Sequence, residues 1–163
     1  MGKIEVTGLD YVEKMLKRFD TDVEAIMKVG VYEGAAVIAN AVREGIDALP
    51  TDSWHLGASH PIMRGPSPEQ KEGLQTGFGI SKMQNAGGYI NVKIGFNGYN
   101  KVKTLSYSEG QPNVLIARSV ESGTSYMQKT PFVRKALNKA KKQAIDAVQR
   151  KVSAAARAIA ERT

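Results

Sequence analysis

The apolar positions of this chain change period twice, from steps of three and four to steps of two and back again. Over "TGLDYVEKMLKRF", Leu9, Val12, Leu16 and Phe19 recur as one face of a short helix does. Thr21 and Glu24 then stand at the T-x-x-E spacing of a capping box, which predicts a second, longer helix from Asp22 to about Ala48. Val23, Met27, Gly30, Gly34, Val37, Ala41 and Gly45 share one face of that helix, and Pro50 closes it. A glycine inside a helix costs roughly 1 kcal/mol relative to alanine. The glycines on this face therefore predict close approach by another backbone, in the same subunit or in a neighbour.

The segment "PTDSWHLGASHPIMRGPSPEQKEG" reads mainly as loop, with Ser67-Pro68-Glu69-Gln70 capping one helical turn. Its length exceeds ordinary connections and points to a functional or partner-ordered loop. The period then falls to two. "TGFGISKM" puts Phe78 and Ile80 on one side of a strand, and "YINVKIGF" alternates Ile90, Val92, Ile94 and Phe96 with Asn91 and Lys93. "QNAGG" between them suits a hairpin loop. In the polar stretch that follows, Val102, Leu105 and Tyr107 alternate as an edge strand would. Ile116, Ala117 and Val120 then space like one or two helical turns ended by Gly123.

The last element is the clearest. Thr130 is a good N-cap, and Pro131 suits a first helical position, where its missing N–H would be unpaired anyway. Val133, Leu137, Ala140, Ala144, Val148, Val152, Ala155 and Ile159 then repeat at three and four, predicting a long amphipathic helix of roughly 45 Å at 1.5 Å per residue. The pattern as a whole predicts an α+β domain over residues 1–163. It has N-terminal helices, a small antiparallel sheet with long loops, and a long basic C-terminal helix over 129–163.

Composition sharpens this picture at one point. The net charge of +7 is concentrated at the end of the chain: residues 1–128 carry 13 Lys/Arg against 14 Asp/Glu, and residues 129–163 carry 10 against 2. That asymmetry points to an acidic partner or an assembly surface for the last segment. A chain of 163 residues can bury roughly 70% of its unfolded surface and needs no staple. With no cysteine, disulfides and thiolate metal sites are excluded. No stretch reads as a membrane span or an apolar leader, and the expectation is a soluble chain with no membrane partner.

Chemistry is hard to find. Asp52, Ser53 and His55 are the residue types of a serine triad, but neighbours in one loop do not form the required line of hydrogen bonds. His55 and His60 lack the further ligands a metal needs. The glycines around Phe78 form no phosphate loop or dinucleotide fingerprint. No catalytic residue, cofactor or metal is assigned, and an enzyme is not expected. Trp54 reads either as a satellite-core residue or as an anchor on a partner.

One stretch carries a resemblance. Ile116-Ala117, Val120-Glu121, Gly123-Thr124-Ser125, Pro131-Phe132 and Ala136-Leu137 together resemble the signature of the tail-component family of tailed bacteriophages, the neck or tail-completion proteins that help join heads to tails. In that family a tyrosine-alanine pair precedes a Val-Glu-x-Gly-Thr turn, and Pro-Phe opens the last helix. "VTGLDYVEKMLKRF" is similar to the family's Gly-Leu-Asp start. Ile116 stands where the family has tyrosine, and the family's Thr-Gly-x-Leu-Arg is blurred into "KEGLQTGFGIS".

The resemblance implies a virion structural protein made in the host cytoplasm and placed at the head–tail junction. It would work as a homo-oligomeric ring beside neck, tail-terminator or tail-tube proteins, with a channel for DNA. The physics of the motif is that of a structural corner aiming the last helix. Gly123 permits a left-handed turn, Glu121 and Thr124 hydrogen-bond nearby backbone, and Phe132 docks the helix start onto the sheet. Lys135, Lys139, Lys142, Arg150 and Arg157 fall on the side away from the apolar stripe. They read as a solvated face, or as contacts to an acidic neighbour or to DNA phosphates. The alternative function is a small nucleic-acid-binding protein without sequence preference, since no base-reading motif and no aromatic interleaving accompany the basic helix.

Overall fold

The computed structural model describes residues 9–53 and 62–161, without side chains for 9–21 and for Ala160. Its element order is α1 (Leu9–Asp47), α2 (Pro68–Gly77), β1 (Phe78–Ile80), β2 (Gln84–Ala86), β3 (Tyr89–Asn91), β4 (Ile94–Phe96), α3 (Asn113–Ser122) and α4 (Phe132–Ala160). The α+β class is as the pattern predicts. The N-terminal part differs, because the two expected helices are one continuous helix of 39 residues, about 58 Å long. Thr21 is therefore not a cap. The apolar stripes on either side of it are in phase, since Phe19 and Val23 are four residues apart, so nothing forces a break. Glu24 does not reach back to a cap either. It pairs with Lys28 at 2.6 Å and accepts from the Asn85 amide at 2.9 Å. The Lys28 ammonium first, and the Asn85 amide second, hold the Glu24 carboxyl below its ordinary value.

α1 and α4 run antiparallel along most of α4. Gly30 faces Val152 and Gly34 faces Val148, so close that a Cβ on either glycine would stand 2.6 Å from a valine methyl. The glycine stripe thus meets a helix of the same chain. The buried seam of α4 is Phe132, Ala136, Ala140, Ala144 and Ala147. Leu137, expected in that stripe, lies one position around the helix and is 42% exposed. Two helices this close have room for alanine in the seam, and leucine is displaced to its flank. Among the described residues, Asp22–Asp47 is the one stretch that is long and apolar enough to cross a membrane by length and composition, its most apolar 18-residue window having a mean hydropathy of 1.3. Glycines and alanines from this same stretch line the packing face against α4.

The four strands form one bent hairpin. β1 pairs with β4 (Phe78↔Phe96, Ile80↔Ile94) and β2 with β3 (Gln84↔Asn91, Ala86↔Tyr89), both antiparallel. Between the two ladders, the three residues Ser81–Met83 oppose the two residues Val92 and Lys93. That extra residue is a bulge, and it splits the single expected strand 89–96 in two. Ser81 bridges it, its N–H donating to the Lys93 carbonyl at 2.7 Å and its hydroxyl accepting from the Lys93 N–H at 2.9 Å. Gly87 and Gly88, both at positive φ, form the two-residue turn, and the rest of the expected loop "QNA" is strand β2.

α2 begins with the expected cap. Gln70 N–H donates to Ser67 Oγ at 3.2 Å and Ser67 N–H to Gln70 Oε1 at 2.9 Å, and the helix runs ten residues rather than one turn. The core gathers Ala39, Val42, Ile46 and Leu49 of α1, Leu74 of α2, Phe78 of β1, Ile116 and Val120 of α3, and Phe132. The segment 99–112 is an anchored excursion and not an edge strand. Thr104 and Tyr107 pair in a tight turn with Leu105 fully exposed at its tip. Its base holds Asn100, whose side chain accepts from Val102 N–H at 2.9 Å, and Asn113 donates to the Asn97 carbonyl at 2.9 Å.

Candidate assembly site: the corner before the last helix

α3 ends where Gly123 takes φ 76° and ψ 163°. This is not the left-handed helical turn expected from the sequence. It lies in a region of backbone space that is essentially glycine-only. Packing excludes a side chain there as well, because a Cβ on Gly123 would lie 2.9 Å from Lys129 Cβ and 3.1 Å from its backbone. The loop beyond is held at several points. Thr124 N–H donates to the Met127 carbonyl at 2.9 Å, and Thr124 Oγ1 accepts from Tyr126 N–H at 3.4 Å. Met63 bridges it from outside, its N–H donating to the Tyr126 carbonyl at 2.9 Å and its carbonyl accepting from Gln128 N–H at 2.8 Å. Thr130 N–H returns to the Val120 carbonyl at 2.8 Å and closes the corner.

α4 starts one residue later than the sequence suggests. Pro131, not Thr130, occupies the cap position, and it has no side-chain acceptor. Glu121 supplies the missing cap from the end of α3. Its Oε2 accepts from Val133 N–H at 2.9 Å and its Oε1 from Arg134 N–H at 3.1 Å. A carboxylate at a helix N-terminus also meets the positive end of the helix dipole. Phe132 is 4% exposed and sets its ring edge-on to Phe96, centroids 6.1 Å apart, with Phe78 beyond at 5.1 Å from Phe96. The structure therefore brings Glu121, Gly123, Thr124, Pro131 and Phe132 into one unit that sets where α4 begins and which way it points.

The basic side chains sit elsewhere. Lys135, Lys139, Lys142, Arg150 and Arg157 are all exposed. Lys139 Nζ lies 3.7 Å from Glu44 of α1, and Lys142 and Arg150 border a shallow depression with Asp146 between them. Trp54, His55 and His60 lie outside the described residues. Asp52 is a clasp, its Oδ2 accepting from Arg64 N–H at 3.0 Å. Among the described residues no group of three or more His, Asp or Glu side chains is placed to hold a metal.

Two features escaped sequence reasoning. Lys71 of α2 donates to the carbonyls of Asp47 at 2.7 Å and Leu49 at 2.8 Å, so its ammonium caps the C-terminal end of α1. An apolar groove of about 550 Å³ also runs beside α4, between α1 and the hairpin. The only sequence signal for it is the in-phase pair Leu137 and Ile145 on the flank of the alanine seam. No family model matches the chain, and neither a curated protein nor a solved structure matches it.

Proposed function

We propose that this protein is a virion structural component of a tailed phage, acting at the head–tail junction as one subunit of a ring that joins or completes the tail. The observation that carries the reading is the pair of hydrogen bonds that the Glu121 carboxylate accepts from the Val133 and Arg134 N–H groups at the start of α4. It gives one physical purpose to the residues in which the chain resembles the tail-component family. A ring subunit works by geometry: its faces must hold a fixed angle so that successive contacts close and leave a channel. A helix of 29 residues, capped from another element and docked by a buried phenylalanine, suits that task.

Electron microscopy of lysates from the parent phage with this gene deleted tests the reading. Filled heads lying apart from finished tails are the expected result, and tails of irregular length would move the role to tail termination. Intact infectious virions would overturn the proposal.

The exposed cations of α4 favour a second reading, binding to nucleic acid through phosphates alone. Neutralising ~6 phosphates gives a log–log salt slope near −5. No duplex binding at low salt removes this reading.

A further inference from the structure

The excursion between β4 and α3 carries at its tip a leucine that its own fold leaves unused. Leu105 is 108% exposed, in a turn where Thr104 and Tyr107 exchange backbone hydrogen bonds at 3.0 and 3.1 Å. The arms below are paired too, Gln111 N–H donating to the Val102 carbonyl at 3.0 Å and Asn100 N–H to the Gln111 carbonyl at 2.9 Å. Side chains tie the base to α2, Gln70 to Gln111 at 2.6 Å and Lys101 to Glu72 at 2.9 Å. The leucine is thus held away from the rest of its chain. Turn centres ordinarily take small or polar residues, so local conformation does not account for it. A lone exposed leucine is ordinary on any surface, but this one has apolar company. Tyr107 on the turn, and Tyr99 and Val114 at its base, are exposed as well.

The apolar groove beside α4 is the matching feature. Val31 and Ile38 of α1, Val92 and Ile94 of the hairpin, and the exposed Leu137 and Ile145 of α4 line it, and no residue of the excursion does. It follows α4 from Leu137 to Gln149 for about 18 Å, and the paired arms of a turn stand only about 5 Å apart. Its charge is one-sided. Lys141 is the single charged residue of the described lining, and among the described residues it has no acidic partner. On the excursion Glu72 offsets Lys101. Glu109, on the arm that descends from Tyr107, has no basic partner among the described residues.

We infer that the tip of the excursion, Leu105 with Tyr107, seats in the groove beside α4 of a second copy of this chain. Glu109 then meets Lys141, and Lys103, on the other arm, stays at the solvent rim. A turn already held in shape loses little freedom on binding. The two surfaces differ, so the contact is head-to-tail, and it closes a ring or extends a filament according to its rotation. It deepens the ring reading above and rests on that reading only for closure.

The chain has no cysteine, which makes cross-linking specific, and a bismaleimide captures the short-lived pairs that a contact of one turn forms. Full-length Leu105→Cys and Ile145→Cys proteins, mixed and treated with a short bismaleimide, are expected to give a mixed dimer, with none from either alone. Equal yields from either protein alone, or no mixed dimer at the highest soluble concentration, would overturn the contact. Leu105→Asp should leave circular dichroism and melting temperature unchanged. By analytical ultracentrifugation it should weaken self-association about tenfold or more, as loss of one buried leucine implies. Glu109→Lys should weaken it too, and adding Lys141→Glu to the same chain should restore it; no recovery would rule out this register. If association persists through both Leu105→Asp and Ile145→Asp, copies meet elsewhere, and this docking is wrong while the ring reading stands. The deletion phenotype tests the virion role separately.

Discussion

The Glu121 carboxylate and the Val133 amide are twelve residues apart in sequence and 2.9 Å apart in space. With Arg134 N–H at 3.1 Å, this makes Glu121 the cap of a helix to which it does not belong. A local cap is unavailable because proline occupies the position before Phe132. The tie binds the end of α3 to the start of α4, so the direction of the long helix depends on one side chain.

Replacing that side chain should be costly. Glu121→Ala leaves two amides of the first turn without their acceptor and is expected to lower stability by about 1–2 kcal/mol. For a chain of this size that corresponds to a melting temperature several degrees lower. Glu121→Gln keeps one acceptor oxygen and should lose about half as much. Urea denaturation of the three proteins measures both, and equal stability of all three would show that the cap is dispensable.

Gly123→Ala should destabilise through backbone conformation and contact together, by about 1–3 kcal/mol. Gly79→Ala and Gly95→Ala are the controls, because a Cβ at either has no neighbour within 4 Å. They should stay within about 1 kcal/mol of the parent protein in the same denaturation series.

Gly34 separates helix propensity from packing. Gly34→Ala gains about 1 kcal/mol of intrinsic helix preference and loses a similar amount by pushing on Val148, so little net change is expected. Gly34→Leu has no such compensation. It should prise α1 from α4 and cost about 1–3 kcal/mol or more, with a lower melting temperature as the readout.

Phe132→Ala removes a ring that is 4% exposed and packed on Phe96. The expected loss is about 3–5 kcal/mol. Comparison with Tyr89→Ala, whose ring is 72% exposed at the hairpin tip, should show a several-fold difference in effect.

The Glu24 tie between α1 and the hairpin is pH-dependent with a definite sign. Its carboxyl is held below the ordinary value of 4.5, so its contribution is complete above that value. It is lost as pH falls through the lower folded value. The Asn85 side-chain amide resonances should shift with a midpoint below 4.5, and in Glu24→Gln they should not titrate in that range.

Sequence alone carried what depends on local period and local chemistry. The alternation at Phe78, Ile80, Ile94 and Phe96, the Ser67–Gln70 cap, the end of α3 at Gly123 and the run of α4 were all legible, because each follows from neighbours within a few residues. The same locality misled at Thr21. A capping box is a sufficient signal for a helix start only where the preceding residues are not already helical, and an in-phase stripe made them so. The bulge at Ser81–Met83 depends on a partner strand, which a single-strand pattern does not contain.

Tertiary structure decided the rest. Whether glycine or leucine belonged in a stripe depended on how near the opposite helix came, and both long helices are capped from outside themselves. Lys71 closes the end of α1 and Glu121 opens α4. Those choices are made by backbone groups left unpaired at helix ends, which take whatever donor or acceptor the fold brings within 3 Å or so of them.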